Sequence, residues 1–392
     1  MKKLNIINLI LLIGSYSCTS GDSNSLDTVP TQVDISAYIN INLNQLENYS
    51  NQSIPNYITK DNTPQNNPIT DEGATLGRVL FYDDNLSATN TVSCASCHVQ
   101  EHAFGDLAQR SQGINGQTPR HSMRLINTRF SMESKFFWDE RALSLEAQTT
   151  NPIKDHIEMG FSGENGDMDF NDLLVKLQNL PYYPVLFSNA FGSELINETR
   201  IQNALSQFVR SIQSFDSKYD QGRASAVDDV QPFSNFSNLE NQGKNLFFQP
   251  PVFNQNGVRI SGGVGCAGCH QGPEFDIDPN TLNNGVIGTI DGDQSDLTIT
   301  RSPTLRDVVK QNNESNGGFM HIGVSNNLIT VIEHYNQISL LGNNNLDPRL
   351  RPNGQGQNLN LSENEKLALV AFLRTLSGSD VYTNSKWSSP FD

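Results

Sequence analysis

Two short motifs bound what this chain can fold into: Cys94-Ala95-Ser96-Cys97-His98 and Cys266-Ala267-Gly268-Cys269-His270. Each has the CxxCH spacing that attaches a c-type haem. The spacing suits the chemistry. Two thiols add to the two vinyl groups of one porphyrin, and the adjacent imidazole then lies under the iron. Small residues between the cysteines let the backbone sit against the ring edge. One zinc site built from both pairs is a competing reading, but such pairs usually stand about 15–20 residues apart. Here the second pair begins 172 residues after the first, and each has its own histidine. Disulfides inside CxxC pairs would close loops too small to stabilise much. Cys94, Cys97, Cys266 and Cys269 are therefore read as thioether positions of two covalently bound haems c, with His98 and His270 as proximal ligands.

The flanks of the two motifs repeat each other. Gly77-Arg78-Val79-Leu80-Phe81 precedes the first, and Gly243-Lys244-Asn245-Leu246-Phe247 precedes the second. Phe104 and Asp106 follow the first, Phe275 and Asp276 the second. Similarity at so long a period indicates a duplicated domain rather than a solenoid. Apolar residues recur at helical spacing through Ile201, Leu205, Phe208, Val209, Ile212 and Phe215. Ser362 and Glu365 form a capping box before Leu367, Leu369, Val370, Phe372 and Leu373, and Gly378 reads as the stop. The expected fold is mainly α: two cytochrome c-like haem domains packed around the region between the haems, with long irregular loops.

The N-terminus reads as an address. Lys2 and Lys3 precede an apolar run over residues 4–13, then Gly14-Ser15-Tyr16-Ser17-Cys18. This is the layout of a secretory signal, too short to span a bilayer as a mature helix. A cysteine directly after the cleavage region makes Cys18 the expected lipidated first residue, so membrane attachment would be by a lipid anchor only. The expected organisation is a lipoprotein-type signal at 1–17 and a flexible polar tether at 18–68, with a little order near 35–46. An N-terminal haem domain at 69–219, a hinge at 220–236 and a C-terminal haem domain at 237–392 follow. The protein is expected to be exported, either periplasmic or anchored at the outer membrane. Its net charge of -16 disfavours nucleic-acid binding and permits docking to a basic protein.

Several stretches, in this order, resemble the di-haem bacterial cytochrome c peroxidases and their MauG-like relatives. They are LGRVLFYDDNLSATNTVSCASCHVQEHAFGD, FFWDERALSLEAQTTNPIKDHIEMG, CAGCHQGPEF, TRSPTLRDV and HYN. The resemblance implies one haem that meets hydrogen peroxide and another that relays electrons from a small donor protein such as a c-type cytochrome; many relatives are homodimers. Glu158 stands in a mostly apolar setting that would raise its pKa. By residue type alone it would more often be a surface glutamate. The family motif makes it the distal acid/base, with Gln148 as polar neighbour and Trp138 as the bridge between haems. Arg141 pairs either with a haem propionate or with Asp139.

Axial ligands separate the alternatives. Some relatives close the first haem with a histidine about sixteen residues past the proximal one, where this chain has Ile114. The first haem is thus expected to lack a protein sixth ligand. For the second haem, the family's axial Met or Tyr aligns with Tyr335, fourteen residues past His321; Met320 and His334 are the alternatives. The family also places calcium between the domains. Here its position falls on His121, a poor ligand for a hard cation, together with the carbonyls of Arg301 and Pro303. Three functions remain open: a peroxidase, a MauG-like oxidase modifying Tyr or Trp of a partner, and a plain electron carrier.

Overall fold

A computed structural model describes residues 34–391 apart from Glu133, Asp293 and Val324. The expected signal at 1–17 and Cys18 lie outside these residues. Among the described residues there are ten α-helices. They are α1 (Asp71–Tyr82), α2 (Cys94–Cys97), α3 (Leu145–Thr149), α4 (Phe170–Gln178) and α5 (Tyr182–Phe191), then α6 (Glu198–Ser211), α7 (Lys218–Ala224), α8 (Asn238–Phe248), α9 (Leu328–Asn336) and α10 (Glu363–Arg374). Three two-stranded antiparallel hairpins complete the regular structure: β1 (Gln112–Gly113) with β2 (Gly116–Gln117), β3 (Pro251–Phe253) with β4 (Arg259–Gly262), and β5 (His270–Gln271) with β6 (Asp276–Ile277). No helix among the described residues is long and apolar enough to cross a membrane.

The helices start where local chemistry satisfies their free N–H groups. The Thr70 hydroxyl accepts from the Gly73 N–H, and Asp71 and Glu72 add negative charge to the first turn of α1. Ser237 with Glu240 and Ser362 with Glu365 form full capping boxes on α8 and α10. Helix α10 stops at Arg374, before the expected Gly378, whose N–H instead donates to Asp307 Oδ1 at 2.8 Å.

The sequence repeat is a structural one. Helix α1 crosses α6, and α8 crosses α10, each at a glycine. A Cβ on Gly77 would stand 2.0 Å from the Ala204 carbonyl oxygen, and one on Gly243 would stand 1.9 Å from that of Ala368. Phe81 packs on Phe208 at 5.2 Å between ring centroids, and Phe247 on Phe372 also at 5.2 Å. Phe104 and Phe275, both at φ 57°, close against Phe81 and Phe247 from the loop after each motif. The basic residue of the repeat is buried each time. The Arg78 side chain donates to the Ser388 carbonyl at 2.7 Å, and Lys244 to that of Gln231 at 2.8 Å.

Two hydrophobic cores result, one drawn mainly from 35–212 and one from 219–376. Three segments depart from the expected organisation. Residues 34–68 are anchored beyond the little order expected near 35–46: Ile35 and Ile39 are buried there, and Tyr49, past it, is buried in the same core. The end of the chain, expected with the second half, returns to the first: Val381 and Trp387 sit in that core, and Tyr82 donates to the Trp387 carbonyl at 2.7 Å. In the expected hinge, Asp220 and Gly222 belong to α7 and Phe233 and Phe236 to the second core, while Val227 and Val230 are exposed. Asp220 is buried against Arg306 with two contacts at 2.9 Å, so this stretch is anchored at both ends.

Gly77→Ala and Gly243→Ala should each lower stability. Alanine gains about 1 kcal/mol of helix propensity, but overpacking against a backbone carbonyl costs about 1–3 kcal/mol. Denaturant melts of the haem-loaded protein should show a lower midpoint for both. Gly288→Ala, where nothing lies within 4 Å of the added Cβ, should stay within about 0.5 kcal/mol.

Candidate functional site

Helix α2 is one turn long. Ser93 and Ser96 cap it reciprocally, which holds Cys94 and Cys97 on one wall with His98 at its exit. Two adjoining spaces of about 690 and 1050 Å³ share His98, Gln148 and Glu158 as lining. The second motif is similarly placed. Spaces of about 1000 and 1240 Å³ share Cys266, His270, Asn284 and Tyr335. The two cysteine pairs thus line separate cavities, and the four sulfurs do not gather into one tetrahedral zinc site.

The residues present fit covalent haem. The walls are largely apolar, with Phe81, Val92, Leu205 and Val209 beside the first motif and Phe247, Val331, Leu369 and Leu373 beside the second. Burial pushes the Cys94 thiol up to about 12 and Cys97 to about 11. It pushes Cys266 and Cys269 each up to about 12. Burial also lowers His98, and it takes His270 down to about 4 against the opposing pull of the Pro303 carbonyl. Both imidazoles are therefore neutral and able to ligate. His98 Nδ1 lies 3.1 Å from the Phe104 carbonyl oxygen, which fixes the ring and leaves Nε2 for a metal.

Glu158 lies in a turn rather than on a helix surface. Asp155 caps that turn, its Oδ1 accepting from the N–H groups of Ile157 and Glu158. Burial, with the Asp155 charge adding and Arg141 opposing, pushes the Glu158 carboxyl up to about 7. Gln148, at the end of α3, shares its cavity wall. The β1–β2 hairpin is laid directly on this turn. Ile114 N–H donates to the Glu158 carbonyl at 3.0 Å, and a Cβ on Gly113 would stand 2.1 Å from the Ile157 oxygen. The Ile114 side chain packs toward Gly160 and is absent from the cavity lining. No histidine comes from this hairpin.

Trp138 is buried and lines both the space beside His98 and that beside His270. Its Nε1–H donates to the His121 carbonyl at 2.7 Å, and its own carbonyl accepts from the N–H groups of Thr300 and Arg301 at 3.1 Å. Arg141 pairs with Asp139 at 2.8 Å, one of its two expected partners.

Tyr335 and Met320 both line the second cavity. The Asn284 side-chain amide lies 3.3 Å from the Tyr335 hydroxyl and 3.3 Å from the Met320 sulfur. His334 turns away, with Nε2 2.9 Å from the Asn284 carbonyl oxygen. Asn284 escaped the sequence reading, although its place fourteen residues past His270 lies near the register that drew attention to Ile114 after His98. His121 is buried with Nδ1 3.0 Å from the Ala108 oxygen, the geometry of a donor rather than a calcium ligand. Arg301 and Pro303 line the same spaces. No group of three or more His, Cys, Asp or Glu side chains suited to a metal ion occurs among the described residues, so calcium gains no support.

Two such cavities in one mainly helical chain define proteins that carry two c-type haems on a single polypeptide. Comparison with known proteins agrees. Residues 71–226 match the family described as di-haem cytochrome c peroxidase. The chain is 31% identical over 337 residues to the methylamine utilization protein MauG of Methylorubrum extorquens, covering 80% of each. It is 27% identical over 328 residues to the cytochrome c551 peroxidase of Nitrosomonas europaea, covering 81% of this chain and 82% of that one. A crystal structure of a MauG-like protein associated with microbial copper homeostasis superposes with a TM-score of 0.65 at 27% identity, covering 87% of this chain and 99% of that one. The chain belongs to the di-haem cytochrome c peroxidase family, whose members include MauG, and that membership implies two c-type haems.

If Tyr335 is the second haem's distal ligand, Tyr335→Phe should alter that haem's absorption and low-temperature EPR signals, whereas His334→Ala should leave them unchanged. Spectra of the two variants, each with both haems attached, check this.

Proposed function

We propose that this chain is a di-haem peroxidase, converting one hydrogen peroxide, two electrons and two protons into two waters. The observation that carries the reading is the Glu158 carboxyl, set beside Gln148 in the cavity of His98 and pushed up to about 7. Two covalent haems, when bound, supply the irons that exchange electrons with peroxide and with the donor. The protein's own groups supply the proton path. A Glu158 carboxylate oxygen accepts the proton from one peroxide oxygen and returns it to the other, so the departing group leaves as water. The Gln148 amide orients the peroxide beside it. Ile114, turned into the protein, leaves the space open for peroxide. Trp138, in the wall between the two cavities, gives electrons arriving on the His270 side a route to the His98 side.

The donor we infer is a small redox protein with a basic face, drawn by the net charge of -16. The signal-like layout of residues 1–17 and the position of Cys18 support a reaction outside the cytoplasm on a lipid anchor.

Tyr335 in the second cavity, an opening hairpin without histidine and 31% identity to a MauG favour a second reading: an oxidase that modifies Tyr or Trp of a partner protein. Steady-state peroxide consumption by the mature protein, with a reduced small c-type cytochrome as donor, separates the two. Rapid turnover without prior reduction supports the peroxidase. Negligible turnover with a lasting spectral change after peroxide supports the oxidase.

Glu158→Gln should lower peroxide turnover by about 10²–10⁴-fold with both haems attached; an electron carrier would lose nothing. The carboxylate form is the base, so wild-type kcat/KM for peroxide should fall as pH drops through about 7, and a pH profile of Glu158→Gln should lack that limb. Low-temperature EPR of the oxidised protein should show a first haem that is not purely low-spin; a fully low-spin signal would sink the open-site reading.

A further inference from the structure

Four arginines line the space where the two haem cavities meet: Arg120, Arg124, Arg141 and Arg301. Three have partners. Arg120 bridges Asp139 at 2.7 Å and Asp296 at 2.8 Å. Arg141 pairs with Asp139 and lies 3.5 Å above the Phe137 ring centroid. Arg301 donates to the Lys135 carbonyl and lies over the Phe136 ring. Arg124 has neither a hydrogen bond nor an ion pair with any described residue, and its Nε is fully buried without a partner. Asp307 acts on it as a charge without a hydrogen bond: its Oδ1 accepts from the Gly378 N–H and the Tyr382 hydroxyl, and its buried Oδ2 has no hydrogen-bond partner among the described residues. Burial depresses the guanidinium to about 10, still charged at neutral pH.

A partly buried guanidinium with one distant counter-charge and no hydrogen bond is unfavourable, so the fork is suited to a group the fold is built to receive. Arg124 borders the space beside His98 and the space beside His270, next to Trp138. In the second half of the chain the matching segment, two residues before Arg306, has Thr304, whose hydroxyl donates to the Glu274 carbonyl at 3.4 Å. The duplicated fold therefore does not itself require a charge there. Each haem carries two propionate carboxylates, and a guanidinium fork can take a carboxylate with two parallel hydrogen bonds.

We propose that Arg124 is a positioning residue that holds a haem propionate at the junction of the two cavities. It would thereby restrain that haem at the junction beside Trp138 and raise its reduction potential. A fixed positive charge beside the propionate favours the extra electron of the reduced state, so its removal lowers the potential. The inference rests on the two haems and not on the peroxidase reading, and its test uses no peroxide.

The experiment is a spectroelectrochemical titration of the full mature chain carrying Arg124→Gln or Arg124→Lys, with two haems per chain verified by pyridine haemochrome. Glutamine should move one haem's midpoint downward and leave the other in place. Lysine, which keeps the charge without the fork, should restore part of the shift. Two unmoved midpoints in the glutamine variant would overturn the proposal, including the case where Arg124 pairs with Asp307 in solution. Should the glutamine variant fail to accumulate, the lysine variant decides: one altered midpoint supports the proposal, and two unaltered ones overturn it.

Discussion

Everything in this molecule is arranged around two helix crossings in which one backbone lies against another. At Gly77 and at Gly243 a side chain as small as a methyl group would collide with a carbonyl of the crossing helix. That closeness lets Phe81 and Phe208, and Phe247 and Phe372, interlock just behind the motifs. It leaves an apolar wall facing each CxxCH turn. A protein interior normally closes such a space, because packing approaches the density of organic crystals. Here the walls are held by helix backbones, and the opening is reserved for a rigid, flat ligand.

Between the two cavities the physics changes from apolar packing to paired charge. Arg120 with Asp139 and Asp296, and buried Arg306 with Asp220, join segments distant in sequence. Main-chain bonds from Thr300 and Arg301 to the Trp138 carbonyl, and from His121 to that of His321, stitch the same boundary. Buried ion pairs are weak evidence of net stability, but losing one partner is costly, so they specify a single arrangement. Trp138 is therefore held in one orientation with its ring against both cavities.

Local chemistry made much of this legible. Covalent attachment depends on cysteines and a histidine adjacent in sequence, so the motifs declare themselves. The helices α1, α8 and α10 follow from caps and apolar spacing within a dozen residues. The Gly-basic-x-Leu-Phe repeat announced the duplication, although its meaning, a glycine at a crossing, appears only when the partner helix is in place. Residues 47–68 misled because their polar composition resembles a linker, while Tyr49, buried in the first core, helps to anchor them. His121 occupied a family calcium position by alignment, yet its ring nitrogen faces a carbonyl. Arg124 and Asn284 carried no sequence signal, since their standing depends on what does or does not lie beside them.

The sequence by itself determined the two CxxCH motifs, the mainly helical duplicated fold and the family, because each is written in residues close together or in an ordered series of motifs. Tertiary structure alone decided which polar groups share a cavity. It set Glu158 and Gln148 in one cavity, turned Ile114 away, brought Tyr335 and Met320 to one amide and left Arg124 without a hydrogen bond among the described residues. Those outcomes depend on burial and on contacts across long stretches of chain, where a carboxyl's proton affinity or an arginine's counter-charge is fixed by neighbours that the linear order does not reveal.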